Sequence, residues 1–360
     1  MPPKSEKKQR RGTTSSPKGR FTHVHRETWE EDGEEGTART TEFFWEDSKS
    51  LLTYNDSPDI PIQAGLNPYR GCEHGCIYCF ARPNHAYVDL SPGLDFESKI
   101  FVKKNVDRLL IDALRKRKGS AETITMGTAT DPYQPGERKY KNTRKILEVC
   151  LKFRQPLAII TKSSLVLRDL DLLSEMGRLG ILKVFVTVTT LNSELWSALE
   201  PRAPSPNKRI EAVKGLSEAG VPVGVMFAPV IPFLNDSEME TLLEKAKSSG
   251  AESAGMVFVR LPYEVAPLFE EWLGVHFPLK KEKILRTIRE ARGGKLYDSD
   301  FSQRMTGTGN YAQLLRTRFR LATRRLDLNH RGTIRGDLFR IPEEYQVLAS
   351  KDQDLLPGLF

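Results

Sequence analysis

Cysteine is scarce in this chain, with four in 360 residues, and Cys72, Cys76 and Cys79 fall inside one stretch of eight. Three crowded thiols are an odd set, which argues against a disulfide framework. No secretory segment is recognised ahead of them, so the expected compartment is reducing and cytoplasmic. No apolar run approaches the ~20 residues needed to cross a bilayer, so no membrane partner is expected. There is also no second cysteine pair of the kind zinc knuckles and ribbons place around a turn. A structural zinc site completed by His74 or His85 stays open as the plainer alternative for the three thiols. Cys150, in Ile146-Leu147-Glu148-Val149-Cys150, is read as a small buried hydrophobe at a core-facing helical position, which leaves no thiols for a second four-cysteine cluster.

What is present is a Cys-x3-Cys-x2-Cys loop, Asn67-Pro-Tyr-Arg-Gly-Cys-Glu-His-Gly-Cys-Ile-Tyr-Cys-Phe. Three thiolates hold three corners of a 4Fe-4S cube and leave one iron open to a ligand that takes part in chemistry. The absent fourth cysteine is therefore the telling one.

The net charge of +8 is unevenly spread: residues 1–20 carry +6, Arg304 to Arg340 carries +7, and the remainder is mildly acidic. Residues 1–36 are polar, charged and almost without apolar periodicity, which predicts a disordered basic tail. Residues 37–290 are read as the core and 291–360 as an arginine-rich helical extension.

Within the core, short apolar strands alternate with helical segments. Val102, Val106, Leu109, Leu110, Ala113 and Leu114 recur at helical spacing and precede a strand at 123–127. Further strands are predicted at 157–161, 182–190, 221–228 and 254–261, separated by helices near 143–153, 165–179, 207–219 and 237–249. With 62–66 as the first strand there are six strand-helix units, which predicts an α/β fold with a parallel sheet forming a partial (β/α)6 TIM-like barrel. Chemistry is then expected at the carboxyl ends of the strands.

The cysteine spacing, with Tyr78 just before the last cysteine, resembles the signature of the radical S-adenosylmethionine (SAM) superfamily. Asn67-Pro-Tyr-Arg-Gly-Cys, Ala81-Arg82-Pro83-Asn84-His85, Thr130-Asp131-Pro132-Tyr133-Gln134-Pro135 and Thr161-Lys162-Ser163 resemble its spore photoproduct lyase-like branch. The likeness runs from about Thr53 to about Phe319. It implies a 4Fe-4S cluster on Cys72, Cys76 and Cys79 and SAM chelating the open iron. It also implies reductive cleavage of SAM to methionine and a 5′-deoxyadenosyl radical that takes hydrogen from substrate, with a flavodoxin- or ferredoxin-type one-electron donor.

The resemblance carries further expectations for single residues. Tyr78 is expected at the adenine, Thr128 or Thr130 at SAM's methionine end, Lys162 at the SAM carboxylate, and Thr187 at SAM from the fourth strand. Arg202 or Glu200 either meets SAM's ribose or the substrate, or holds its own loop. Asp131 is expected to brace its loop, Tyr133 and Gln134 to face substrate, and Arg260 to be a further substrate contact. The loop from Gly127 to Pro135 has no cysteine, whereas spore photoproduct lyase has one there that returns hydrogen to the product radical. Tyr133 is the candidate to stand in its place, and Glu200 is a second catalytic candidate.

Tyr311, Leu314, Leu315, Phe319, Ala322 and Leu326 form an apolar helical face, with five arginines largely elsewhere. Those arginines are read as a solvated face, with nucleic-acid phosphates or an acidic electron donor as the alternatives. The leading reading is a radical SAM enzyme with nucleic acid or a nucleotide as substrate. A nonenzymatic metal-stabilised nucleic-acid-binding protein and a radical SAM activase of a partner protein are the alternatives.

Overall fold

A computed structural model describes residues 11–13, 15–21, 40–59, 62–117, 119–330 and 332–346. Its strands are β1 (Glu42–Glu46), β2 (Leu52–Tyr54), β3 (Ala64–Leu66), β4 (Tyr69–Arg70) and β5 (Lys99–Lys103). They continue with β6 (Ile124–Met126), β7 (Leu157–Thr161), β8 (Leu182–Thr187), β9 (Val223–Val230) and β10 (Ser253–Phe258). Six of them, β3, β6, β7, β8, β9 and β10, lie side by side in chain order and are all parallel, with β2 added antiparallel beyond β3. The expected partial (β/α)6 barrel is the observed architecture, with β2 and β10 as the edge strands of its sheet.

These segments become strands because both faces are covered. Leu157 to Thr161 and Leu182 to Thr187 are almost continuously buried, as parallel strands under helices must be. Lys183 is the polar exception: its stem is buried while Nζ donates to the His330 carbonyl at 3.2 Å. The helices Val106–Arg115, Asn142–Phe153, Pro206–Glu218 and Met239–Ser248 turn their apolar residues inward. Cys150 sits in that core with no exposed surface, and burial pushes its thiol up to about 12.

Three features differ from the sequence reading. Val102 is not the first residue of a helix but lies in β5, paired with Trp45 of β1 and Tyr69 of β4. This second, three-stranded sheet has the order β1-β5-β4 and is built by pairings across the chain, which local spacing does not reveal. A short helix, Ser193–Leu199, capped by the Asn192 side chain, fills the stretch after β8. The basic tail lies partly outside the described residues, but residues 11–13 and 15–21 pack on the body. There the Gly12 and Thr13 amides donate to the Glu97 carboxylate at 2.8 and 3.1 Å.

The helix Gly309–Arg325 packs on Met239–Ser248. Arg318 and Arg325 pair with Glu240 and Glu244 at 2.7 and 2.5 Å, and Arg316 donates to the Gly307 carbonyl. Those arginines dock one helix on another. Farther round, Arg304 grips Asp59 through two hydrogen bonds of 2.6 and 2.8 Å. Asp59 follows edge strand β2, and Met305, next to Arg304, accepts from the Phe258 amide at the end of β10. The pair thus joins the two edges of the open sheet. No helix among the described residues is long and apolar enough to cross a membrane.

Candidate functional site

The parallel register brings the strand ends into line: Leu66 is opposite Met126, Thr161 opposite Val186, and Thr187 opposite Met226. The cysteine loop follows β4 immediately and lies across these ends. Gly71 opens it at φ +81°, where a Cβ would come within about 3 Å of His85, Ile100 and the Phe96 carbonyl. The Cys72 amide donates to Phe96 and the Ile77 amide to Leu199, so backbone bonds anchor the loop at both sides.

The main brace is Arg82, one of the largest fully buried side chains in the molecule. Its Nε donates to the Cys76 carbonyl at 2.9 Å, Nη1 to the Pro92 and Gly93 carbonyls, and Nη2 to Glu97 at 2.6 Å. His85 stands beside it, donating from Nε2 to the Lys99 carbonyl at 3.0 Å. Burial drives the His85 pKa down from 6.5 to about 4; the bond to Lys99 and the Asp95 charge oppose that, while Arg70 and Arg82 add to it. In the unfolded chain this imidazole takes its proton near pH 6.5, and in the folded chain only near 4. Stability is therefore expected to fall as pH drops through that window, by up to about 3 kcal/mol. Denaturant titrations of wild type and His85→Gln at pH 7 and 4.5 check this, and an equal acid loss in both removes His85 as the cause.

Cys72 and Cys76 are buried and Cys79 is half-buried. Burial first, and then the charges of Asp131, Cys76 and Cys79, push the Cys72 thiol well above its ordinary value. Burial raises Cys76 to about 12, with Glu200 and Cys79 adding to the rise and Lys162 and Arg209 opposing it. Thiols this desolvated and this close in charge ionise only against a compensating cation, which iron supplies. The donor set fits an iron-sulfur cluster. Among the described residues no three His, Cys, Asp or Glu side chains converge on a single metal ion. A cubane spreads its thiolates over separate corners and does not need that convergence.

Around the loop, the sequence candidates fall into two groups. The first stands at or just past the strand ends. Lys162, just past β7, is half-buried, and its ammonium lies 5.8 Å from the Tyr78 ring centre. Burial pulls its pKa down, but the charges of Cys76 and Glu200 outweigh that and hold it above the ordinary lysine value. Among the described residues this ammonium has no hydrogen-bond or ion-pair partner. Thr128, half-buried after β6, accepts from Asn67 Nδ2 at 3.1 Å, while Asn67 Oδ1 takes the Ala129 amide. Gly127, at φ +95°, makes this possible, since a Cβ there would meet the Ile160 carbonyl at 2.2 Å. Thr187 is buried at the end of β8, and its carbonyl accepts from Arg209.

The second group braces the site from behind. Thr130 is buried and donates to the Gly71 carbonyl at 2.6 Å. Gln134, expected to face substrate, is instead fully buried and holds the loop through the Glu73 amide and the Gly71 carbonyl. Tyr133, expected at substrate as a catalytic candidate, is also fully buried, under the Arg168 guanidinium at 5.9 Å. Both corrections have one cause: the turn after Asp131 carries these side chains inward. Asp131 accepts from Thr161 Oγ1 and the Lys162 amide, each at 2.7 Å, with His74 at 3.4 Å. Burial alone would raise its pKa, but His74 and these hydrogen bonds bring it to about 2. Arg202 ties Glu73 at 3.1 Å and Thr41 at 3.2 Å, joining the loop to the small sheet.

Glu200 is wholly buried behind Tyr78. It accepts from the Tyr78 hydroxyl and from Thr189 Oγ1, and pairs with Arg209 at 2.5 Å. Burial would raise its pKa, yet Arg209 and then Lys162 hold it below the ordinary carboxylate value. Thr189 and Arg209 were missed in the sequence; their only signal was position, two residues beyond β8 and on the inward face of the helix Pro206–Glu218. Arg260, past β10, places its guanidinium 4.2 Å above the Phe80 ring, next to Cys79 in the chain.

A profile of the Radical SAM superfamily matches residues 66–246, just over half of the chain. An uncharacterized protein of Mycobacterium tuberculosis is 36% identical over 221 residues, covering 61% of this chain and 65% of the relative. An uncharacterized protein of Methanocaldococcus jannaschii is 36% identical over 173 residues, or 48% of this chain and 62% of that one. These alignments thus take in less than two thirds of either relative. A radical SAM Nalpha-GlyT isomerase of a Pseudomonas phage is 25% identical over 218 residues, covering 60% of this chain and 43% of the isomerase. Among solved structures, spore photoproduct lyase complexed with dinucleoside spore photoproduct superposes with a TM-score of 0.55. It has 15% identity and covers 79% of each chain, a likeness of fold.

Proposed function

The chain belongs to the radical SAM superfamily and is a radical SAM enzyme; on that premise we propose that Cys72, Cys76 and Cys79 carry its 4Fe-4S cluster and that its substrate is nucleic acid or a nucleotide. When bound, the cluster and SAM supply one chemistry: an electron breaks a carbon-sulfur bond to give methionine and a 5′-deoxyadenosyl radical, which takes a hydrogen atom from substrate. Everything else is positioning and the exclusion of water by the protein's own side chains.

The observation that carries this reading is the pairing of three thiols in one loop, two of them buried, with a lysine ammonium that has no hydrogen bond or ion pair among the described residues. We assign Lys162 to the SAM carboxylate, Thr128 and Thr187 to the methionine end, and Tyr78 to the adenine. Glu200 and Arg209 fix Tyr78 from behind, and Thr130 and Arg202 stiffen the cluster loop. No step is assigned to Tyr133. The nucleic-acid preference draws on the dinucleoside held by the structural neighbour. The enzyme requires an electron donor, and we propose a flavodoxin- or ferredoxin-type protein.

The test is anaerobic reconstitution with iron and sulfide, reduction, addition of SAM and measurement of 5′-deoxyadenosine. Lys162→Met is expected to raise the KM for SAM by roughly 10- to 100-fold, the worth of a charge-assisted hydrogen bond, with cluster absorbance retained. An unchanged KM would take Lys162 out of the SAM site.

A further inference from the structure

Most of the exposed aromatic rings among the described residues gather in one band beside the cysteine loop, and arginines are interleaved with them. The Arg20 guanidinium lies 3.8 Å above Tyr263 and 4.9 Å from Phe21, which stacks on Tyr87 at 5.0 Å. Tyr263 neighbours Tyr297 at 6.0 Å, and Tyr297 is within electrostatic reach of Arg260. Arg260 covers Phe80, and Arg304 covers Phe301 at 4.5 Å. Phe80 and Phe301 are each 45% exposed and Tyr263 59%, so these rings are not core.

The charges of the band are unequal in their partners. Arg304 is spent on Asp59, and Arg20 on Glu264 at 3.9 Å. Arg292 donates to the Gln303 and Val259 carbonyls. Arg260 alone among these four has neither an ion pair nor a hydrogen bond within the described residues, although it is half-buried and Arg304 and Arg292 stand nearby. A guanidinium whose face is taken by a ring still offers its N–H edge, the edge that grips phosphate bidentately.

We propose that Arg260 and Phe80 form a nucleotide-binding subsite at the mouth of the barrel, Arg260 taking a phosphodiester and the rings of Phe80 and Tyr263 stacking unpaired bases of a single-stranded or unstacked nucleic acid. This deepens the nucleic-acid reading given above and rests on it. Flat rings alternating with guanidinium groups match a chain that alternates bases with phosphates, and they reach bases only where those are unstacked. An acidic peptide would use the arginines and leave the rings idle. Since Phe80 follows Cys79 directly, a base on Phe80 is held next to the cluster loop.

The test uses the full chain and fluorescence anisotropy with a fluorescein-labelled oligothymidylate, a duplex of the same length and polyglutamate of matched charge. Oligothymidylate is expected to bind more tightly than either competitor. Arg260→Gln and Phe80→Ala are each expected to weaken it roughly tenfold or more, and Arg260→Gln to lower the slope of log affinity against log salt by about one. Tyr263→Ala, at an exposed ring, gives the same reading should Arg260→Gln fail to fold by its melting curve. Wild-type affinity in Phe80→Ala and Tyr263→Ala, or equal competition by polyglutamate, overturns the proposal. 5′-Deoxyadenosine formation by the wild-type protein without substrate, measured in parallel, separates this failure from failure of the cluster and SAM assignment.

Discussion

Cys76→Ala is expected to bring 5′-deoxyadenosine formation to the level of a control without protein and to strip most of the iron-sulfur absorbance. The environment of Cys76 carries two cations, Lys162 and Arg209, against the negative charges of Glu200 and Cys79. On the proposed assignment the substitution removes a direct ligand, a loss beyond the roughly 10- to 100-fold that follows from disturbing an outer partner of a metal site. The fold should survive, because what Arg82 holds at this residue is the backbone carbonyl, which alanine keeps. The measurement is therefore paired: product by chromatography and melting temperature by circular dichroism. Turnover persisting in a folded Cys76→Ala variant would exclude the cluster mechanism.

Arg82→Met is expected to have the largest effect on stability. It takes from buried Glu97 its 2.6 Å ion-pair partner, leaving the Gly12 and Thr13 amides on the carboxylate and Arg11 on the backbone carbonyl, and strips donors from three carbonyls, those of Cys76, Pro92 and Gly93. Breaking one side of such a pair costs about 3–5 kcal/mol, against a total stability of about 5–15 kcal/mol for a typical protein. The loss should appear as a drop in the urea midpoint, with iron occupancy falling in step because the loop loses its brace. Adding Glu97→Gln to Arg82→Met should restore part of it, since the amide carries no charge and its one oxygen still accepts from one of the two amides, Gly12 or Thr13, that bond to separate carboxylate oxygens in the wild type. An unchanged midpoint in the single variant would sink the account of Arg82 as the main brace.

How much of this was legible follows from the range of the signal. Leu157 to Thr161 reads as a buried strand because its apolar run is continuous, and the cysteine loop reads from its spacing alone. Lys162 at a strand end was equally readable, since position along one element decides it. Val102 misled because its spacing to Val106 suits a helix, while its strand partners Trp45 and Tyr69 lie 57 and 33 residues away along the chain. Tyr133 and Gln134 misled for a related reason: polar residues in a loop look exposed, and only the inward turn fixed by Asp131 buries them. Nothing near Glu97 in the sequence announces a buried carboxylate, since its partner Arg82 and the Gly12 amide come from other segments.

The grip of Arg304 on Asp59 carries a last consequence. A fully closed barrel seals its circumference with backbone ladders, but here the segments beyond the sheet's two edges are clasped by one guanidinium and one carboxylate. With side chains only 14% and 10% exposed, that clasp is shielded from ions, so the rim should keep its width in concentrated salt.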